Sequence, residues 1–353
     1  MSQFRPSWLL YGATGYTGRI IAEAAKARGF EPVLAGRNTT ALAALAAQLG
    51  LKFRAFELSD YTATDKGLSG VKLSLNCAGP FDHTGSPLAS ACIRNSVHYL
   101  DIAGEINPIR SIQRLHGRAI EERVMLLCGV GFGCMPSEAL LAYIQQQRPG
   151  VVSAQLAFAI DGGVSKGTLE SLEQSLKLPG YSLDRGQLIA AKPGAVKLMV
   201  DFGQGGKRKC ATNPWRGDMY TAQVGLSYKH IESYSEFPWY VFDLFKKPEM
   251  TEGAGLLGKL YLFAKKRLPA GPSAAKRALS KSYIWAEGVD EDGRKAGGVI
   301  TGPDAYTLTA DCALFAVEQV LSGRIMPGFS TCGQLFGTEP LKAIKSLKFA
   351  PRS

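Results

Sequence analysis

Histidine is scarce in this chain, with four in 353 residues (His83, His98, His116, His230), and its seven cysteines form no CxxC pair. Those shortages remove the common zinc spacings. An odd, scattered cysteine set also gives no disulfide framework, so reduced core thiols and no metal are expected. No histidine stands in a nucleophile-elbow context, which argues against a Ser-His-Asp hydrolase. Also missing is any uninterrupted apolar run near the ~20 residues that a membrane-crossing helix needs. The opening MSQFRPSWLLYGATG lacks a charged leader, an apolar stretch and a small-residue cleavage site, so a cytoplasmic protein is expected. Internal repeats and low-complexity segments are absent as well.

What is present describes an ordinary globular chain. Hydrophobic residues make up 46% and charged residues 20%, and the length favours two domains over one. Lysine and arginine outnumber acids 41 to 30, a formal net charge of +11. Such a balance suits anionic partners: nucleic acid, acidic lipid, an acidic carrier protein or a phosphorylated cofactor.

Residues 7–13 form a short apolar run ending at glycine, and 17–28 have helical spacing that stops at Gly29. Apolar strands at 31–35, 52–57, 71–77, 97–102 and 124–130 then alternate with helices at 39–49 and 86–95. This pattern predicts a Rossmann-type parallel sheet wrapped by helices over residues 1–150. Pro136 and Ser137 open one more helix, closed by Pro149 and Gly150, and the chain changes character there. Residues 151–303 predict an α+β domain with a mixed or antiparallel sheet, with strands at 151–160 and from Tyr220 to Ser235. Residues 304–322 read as a long amphipathic helix before Gly323. This helix and the tail to 353 are expected to return to the first domain.

Directly after the first strand comes Gly12-Ala13-Thr14-Gly15-Tyr16-Thr17-Gly18. Glycines at this spacing let a backbone turn tightly against a pyrophosphate, which the free N–H groups at a helix N-terminus then bind. A plain glycine-rich turn is the alternative. The second strand ends in Ala35-Gly36-Arg37. NAD would call for an acid there to bind the ribose 2′-hydroxyl, whereas Arg37 suits the 2′-phosphate of NADPH. A solvated surface arginine is the alternative to that role.

These motifs, with Asn76-Cys77-Ala78-Gly79-Pro80-Phe81, resemble the saccharopine dehydrogenase-like oxidoreductases, particularly their trans-acting enoyl reductase branch. Tyr99-Leu100-Asp101-Ile102-Ala103-Gly104-Glu105 is similar to the family's Y-x-D-x-x-G-E segment, and Gly131 to Glu138 to its G-F-D-x-x-P-x-D turn. Gly162 to Thr168 is similar to a glycine-rich stretch of the second domain. Gly133 departs from the usual aspartate and Lys166 from a glycine, so roles tied to those positions do not carry over. The resemblance is strongest over 7–138 and thin from about 180 to 280. It implies NADPH as cofactor, with Ala78, Gly79, Pro80 and Phe81 at the nicotinamide end and Glu57 by the adenine. It does not decide the reaction, since such proteins reduce C=C or C=N bonds, and a non-catalytic NADPH-binding regulator is a third reading.

Four side chains at or beyond the carboxyl ends of strands are candidate proton donors: His83, Tyr99, Asp101 and Glu105. Each has a plainer reading as a loop, core or capping residue. The stretch from Phe237 to Leu268 mixes aromatic and aliphatic clusters with Lys246, Lys247, Lys259, Lys265, Lys266 and Arg267. It could contact an apolar substrate, dock an acidic carrier protein or rest on a membrane surface, or cover a sheet as an amphipathic helix. Basic residues elsewhere are dispersed and no nucleic-acid module is recognised, so nucleic acid is not expected. The leading expectation is an NADPH-dependent reductase acting in trans on an apolar enoyl substrate of a polyketide or lipid pathway.

Overall fold

In the computed structural model, which describes residues 7–236 and 269–352, short apolar runs become strands and the spaced runs between them become helices. The first stretch contains β1 (Trp8–Tyr11), α1 (Tyr16–Ala27), β2 (Val33–Gly36), α2 (Thr39–Leu49), β3 (Phe53–Ala55), α3 (Tyr61–Leu68) and β4 (Leu73–Asn76). It continues with α4 (Phe81–Arg94), β5 (His98–Asp101), α5 (Ile106–Gln113), α6 (His116–Glu121), β6 (Met125–Leu127) and α7 (Met135–Gln147). Next come β7 (Ser153–Ile160), α8 (Lys166–Ser175), β8 (Tyr181–Asp184), β9 (Gln187–Ala190), β10 (Lys197–Asp201), β11 (Lys207–Thr212), α9 (Asp218–Leu226) and β12 (His230–Ser235). The later described part holds α10 (Ala274–Leu279), β13 (Lys281–Val289), β14 (Lys295–Pro303), α11 (Ala305–Leu321), β15 (Gly328–Ser330), α12 (Cys332–Phe336) and β16 (Lys348–Arg352).

The first sheet is parallel throughout, in the order β15-β6-β5-β4-β1-β2-β3. Every residue of β1, β2 and β4 is buried, as expected of strands covered by helices on both faces. Leu10, Leu34 and Leu75 enter one apolar cluster, Leu9, Val33 and Tyr99 the other. Local chemistry closes the helices: Asn38 caps α2 by accepting from the Ala41 N–H, and Gly50 ends it in a left-handed conformation. All seven cysteines are buried and free.

The second sheet is mixed, with β10-β11-β12-β7-β13-β14-β16 as its path and β8 and β9 attached at β12. Its central strand β7 runs parallel to β12 and antiparallel to β13. Leu156 and Phe158 face the main core while Ala157 and Ala159 face the opposite cluster, the two-residue alternation of a pleated strand. Helix α7 lies against β13 and β14, and α11 lies against α1. Two short strands of the C-terminal stretch part company: β15 pairs with β6 in the first sheet and β16 with β14 in the second. Among the described residues no helix is long and apolar enough to cross a membrane.

Two expectations are corrected. Residues 220–226 belong to helix α9, so the expected strand from Tyr220 to Ser235 shrinks to β12. Its tyrosine, threonine and valine favour strands locally, but burial of Met219, Thr221 and Ala222 against neighbouring helices decides the outcome. Helix α4 begins at Phe81, well before residue 86, because Gly85 and Pro87 mask its first turns.

Where α7, α9 and α12 meet, a polar cluster is buried between the sheets. Glu138 accepts from the Gly333 N–H at 2.6 Å. Asp218 accepts from Arg216 at 2.9 Å and from the Ser137 hydroxyl at 3.3 Å. Neither Glu138 nor Asp218 is exposed, and one oxygen of each has no hydrogen-bond partner. Burial pushes the Glu138 carboxyl up from 4.5 to about 7, with the charge of Asp218 adding to the rise. Folding therefore favours the protonated acid. The stability it contributes is full below its unfolded pKa and is lost as pH rises through about 7. Glu138→Gln keeps an acceptor for Gly333 and removes the titration. Melting curves between about pH 5 and 8 should flatten in this variant, which should gain roughly 1–3 kcal/mol over the parent at the alkaline end. An unchanged pH profile would contradict this account.

Candidate dinucleotide and proton-donor site

The turn from β1 to α1 is held by backbone contacts that only glycine allows. Gly12 has φ +82°, and a Cβ there would lie 2.6 Å from the Ala78 nitrogen; a Cβ on Gly18 would lie 2.2 Å from the Gly12 oxygen. Gly15 differs, since its Cβ would meet only the Gly12 oxygen at 3.2 Å. It keeps open the space above the start of α1. Gly15 is also the N-cap of α1 and supplies no side-chain acceptor, so donors at that end remain available to an anion. Thr14, Tyr16 and Thr17 are half-buried around the turn. These features fit a pyrophosphate.

A second helix start faces the same crevice. Strand β4 lies beside β1, and the order of strands reverses at this pair, the place where open parallel sheets bind ligands. Helix α4 begins with Pro80 as an N-cap that makes no side-chain hydrogen bond. The turn before it is fixed by Asn76, which accepts from the Ala78 N–H at 3.0 Å and donates to the Thr84 hydroxyl at 3.2 Å. Ala78, Gly79 and Pro80 therefore border the crevice, while Phe81 and His83 stand in the first turn of α4.

Arg37 follows β2, is exposed and has no ion pair among the described residues. It immediately precedes Asn38, the cap of α2, so a basic residue adjoins a helix N-terminus. Thr39 and Thr40 add exposed hydroxyls there. The Asn-Thr-Thr run that opens a helix after Arg37 is the sequence signal for these two. Glu57 is exposed beyond β3. Arg37 and Glu57 both act on the Tyr11 hydroxyl, which burial pushes up to about 12, Arg37 opposing and Glu57 adding. The two charges thus flank one end of the crevice.

Of the four candidate donors, two are interior braces. Tyr99 and Asp101 are 0% and 1% exposed. Asn76 donates to the Tyr99 hydroxyl at 3.2 Å, and that hydroxyl donates to Asp101 at 2.9 Å. The other Asp101 oxygen accepts from the Ala103 N–H at 3.0 Å and the Gly129 N–H at 2.9 Å. This network ties together the chain leaving β4, β5 and β6. Its members have no free face for a substrate.

Glu105 is different. It is half-buried as the N-cap of α5, and accepts from the Gly104 N–H at 3.0 Å. Burial raises its carboxyl above the usual range; the Gly104 N–H and the Ser171 hydroxyl of α8 oppose the rise and the charge of Asp82 adds to it. The second domain holds this turn: the Ile106 N–H donates to Trp215 at 3.0 Å and the Gly217 N–H to Gly104 at 2.8 Å. His83 is exposed beside Asp82 on α4. The Gly133 departure has a steric cause, because a Cβ there would lie 2.9 Å from Gly104 Cα. The basic and aromatic stretch 237–268 lies outside the described residues.

Residues 8–126 match the family model of the saccharopine dehydrogenase NADP-binding domain. The chain is 28% identical over 170 residues to the mouse saccharopine dehydrogenase-like oxidoreductase, covering 42% of this chain and 40% of that protein. It is 32% identical over 140 residues to the trans-acting enoyl reductase of Mycobacterium leprae, covering 37% of this chain and 33% of that protein. The matched stretch thus spans two fifths or less of these relatives' length. Over its whole fold the chain is similar to apo saccharopine dehydrogenase (L-Glu forming) from Saccharomyces cerevisiae, with a TM-score of 0.67 at 12% identity, covering 99% of this chain and 100% of that one.

The cofactor assignment has a direct check in binding titrations. NADPH should bind more tightly than NADH, and Arg37→Ala should erase most of a preference of roughly ten- to hundred-fold. Gly15→Val should weaken both cofactors together, since its side chain would fill the pyrophosphate space. Equal affinity of the unmodified protein for the two would refute the role of Arg37.

Proposed function

We propose, on the premise that residues 8–126 form an NADP-binding domain of the saccharopine dehydrogenase type, that the protein is an NADPH-dependent reductase of an apolar enoyl substrate presented in trans. The observation that carries the reading is the placement of Glu105, a half-buried carboxyl raised by burial, past the carboxyl end of β5 and against α8 of the second domain. Bound NADPH would supply the hydride. The chain's own task is to orient the double bond and deliver a proton to its other carbon, and of the four candidate donors Glu105 is the one that combines partial exposure with a raised affinity for its proton.

Two further points support an apolar substrate over an imine dicarboxylate. Arg208 and Arg216 of the second domain are already engaged, Arg208 with Asp161 and Glu236 and Arg216 with Asp218, and Arg277, which has no carboxylate partner among the described residues, lies against Tyr16 of the glycine loop. The M. leprae relative carries the name of a trans-acting enoyl reductase. On sequence grounds alone, the basic end of the 237–268 stretch is the proposed docking point for an acidic carrier.

Oxidation of NADPH against a panel of enoyl thioesters and imines tests this reading. Enoyl turnover is expected, and Glu105→Gln should lower kcat by roughly 10²–10⁴ while NADPH affinity holds. As an acid with a raised pKa, Glu105 should make the rate fall as pH rises through its titration, a limb that Glu105→Gln removes. His83→Ala is the competing variant, and an equal loss there would move the role to α4. Turnover of imines alone would establish the C=N reading, and none in either class the regulatory one. Replacing Lys265, Lys266 and Arg267 with glutamate should slow reaction with carrier-linked substrate and reduce its salt dependence, sparing small free substrates. Equal activity on both would rule the docking role out.

A further inference from the structure

The second domain also touches the dinucleotide loop itself, through Tyr16. The Tyr16 hydroxyl donates to the Pro272 carbonyl and accepts from Arg277 Nη1 at 3.1 Å, and Arg277 Nη1 also donates to Pro272 at 3.3 Å. The Tyr306 ring meets the Tyr16 ring edge-on at 4.8 Å. Tyr306 in turn accepts from the Ser165 N–H and lies 3.1 Å from the Thr168 hydroxyl of α8. A Cβ on Gly271 would come within 2.5 Å of the Tyr16 ring, so the backbone there lies flat against it.

Arg277 is half-buried, and its recorded hydrogen bonds go to neutral oxygens only. Asp161 and Asp304, which line the same small cleft, are occupied: Asp161 by Arg208 at 3.0 Å, Asp304 by N–H groups at the start of α11. The guanidinium therefore stands without a carboxylate partner among the described residues. It lies beside the first residue of the helix whose N-terminus fits a pyrophosphate. The glycine loop offers that diphosphate backbone dipoles and threonine hydroxyls but no cation, and Arg19, the nearest cation along α1, is exposed and turned to Gln48 at 3.4 Å.

We propose that Arg277 is a second-domain contact to the cofactor pyrophosphate, so that the dinucleotide is held from both sides, by the glycine loop and by the second domain that already rests on it. This rests on the NADPH reading above and adds a residue that no motif of the first domain contains. A diphosphate accepting from a guanidinium gains a charge-assisted contact that neutral donors cannot match. Tyr16 would then position Arg277 without meeting the phosphate.

Calorimetric titration of the full chain with NADPH, ADP-ribose and 2′-AMP separates the possibilities, since only the first two carry a pyrophosphate. Arg277→Met should weaken NADPH and ADP-ribose by roughly ten- to hundred-fold and leave 2′-AMP unchanged. Arg277→Lys should restore part of the loss, and Tyr16→Phe should produce a smaller deficit of the same pattern. Unchanged ADP-ribose affinity in Arg277→Met, or an equal loss on 2′-AMP, would overturn the proposal. A parent protein that binds none of the three would instead remove the NADPH reading, and this inference with it. Melting midpoints of the Met and Lys variants within a few degrees of the parent exclude misfolding as the cause.

Discussion

The architecture of the site depends on a place where two backbones touch with no side chain between them. A Cβ on Gly12 would fall 2.6 Å from the Ala78 nitrogen, and one on Gly18 would fall 2.2 Å from the Gly12 oxygen. This contact brings the chain leaving β1 against the chain leaving β4, and with it two helix starts that lack side-chain caps. Asp101 fixes the remaining side of the crevice by joining the turns after β5 and β6 through N–H groups of Ala103 and Gly129. A buried carboxylate with its acceptors filled stiffens a loop better than it serves as a reagent, because losing any donor leaves an unsatisfied charge inside.

Charge is distributed along this crevice in a way that the net value of +11 conceals. Arg37 stands at one end, before α2. The helix starts of α1 and α4 occupy the middle. Past the end of β5, the nearby groups are the carboxyls of Glu105 and Asp82, each raised by burial. A molecule with phosphates at one end and an uncharged, reducing ring at the other matches that gradient, and the acid lies where a proton rather than an anion contact is wanted.

Much of this was legible in the residues. Strands buried on both faces announce themselves as unbroken apolar runs, and GATGYTG followed by Ala35-Gly36-Arg37 marked the turn into α1 and the arginine that follows β2. Elements governed by distant packing were not legible. Helix α9 carries strand-favouring residues, and α4 hides its start behind Gly85 and Pro87. The candidate donors were readable only as a set: sequence places Tyr99, Asp101 and Glu105 at one strand end, but which of them faces inward depends on partners such as Gly129 and Ser171. The contact between Tyr16 and Arg277 spans 261 positions, beyond the reach of any local pattern.

The C-terminal stretch of the described chain serves both sheets, β15 completing the first and β16 bordering the second. The fold is therefore laced shut, and its two halves are not separable beads on a string. A fragment ending near residue 150 would leave the backbone of β6 bare along one side, offering an unpaired edge to any extended chain that met it. Dissection of this protein into working pieces is better done by substitution than by scissors.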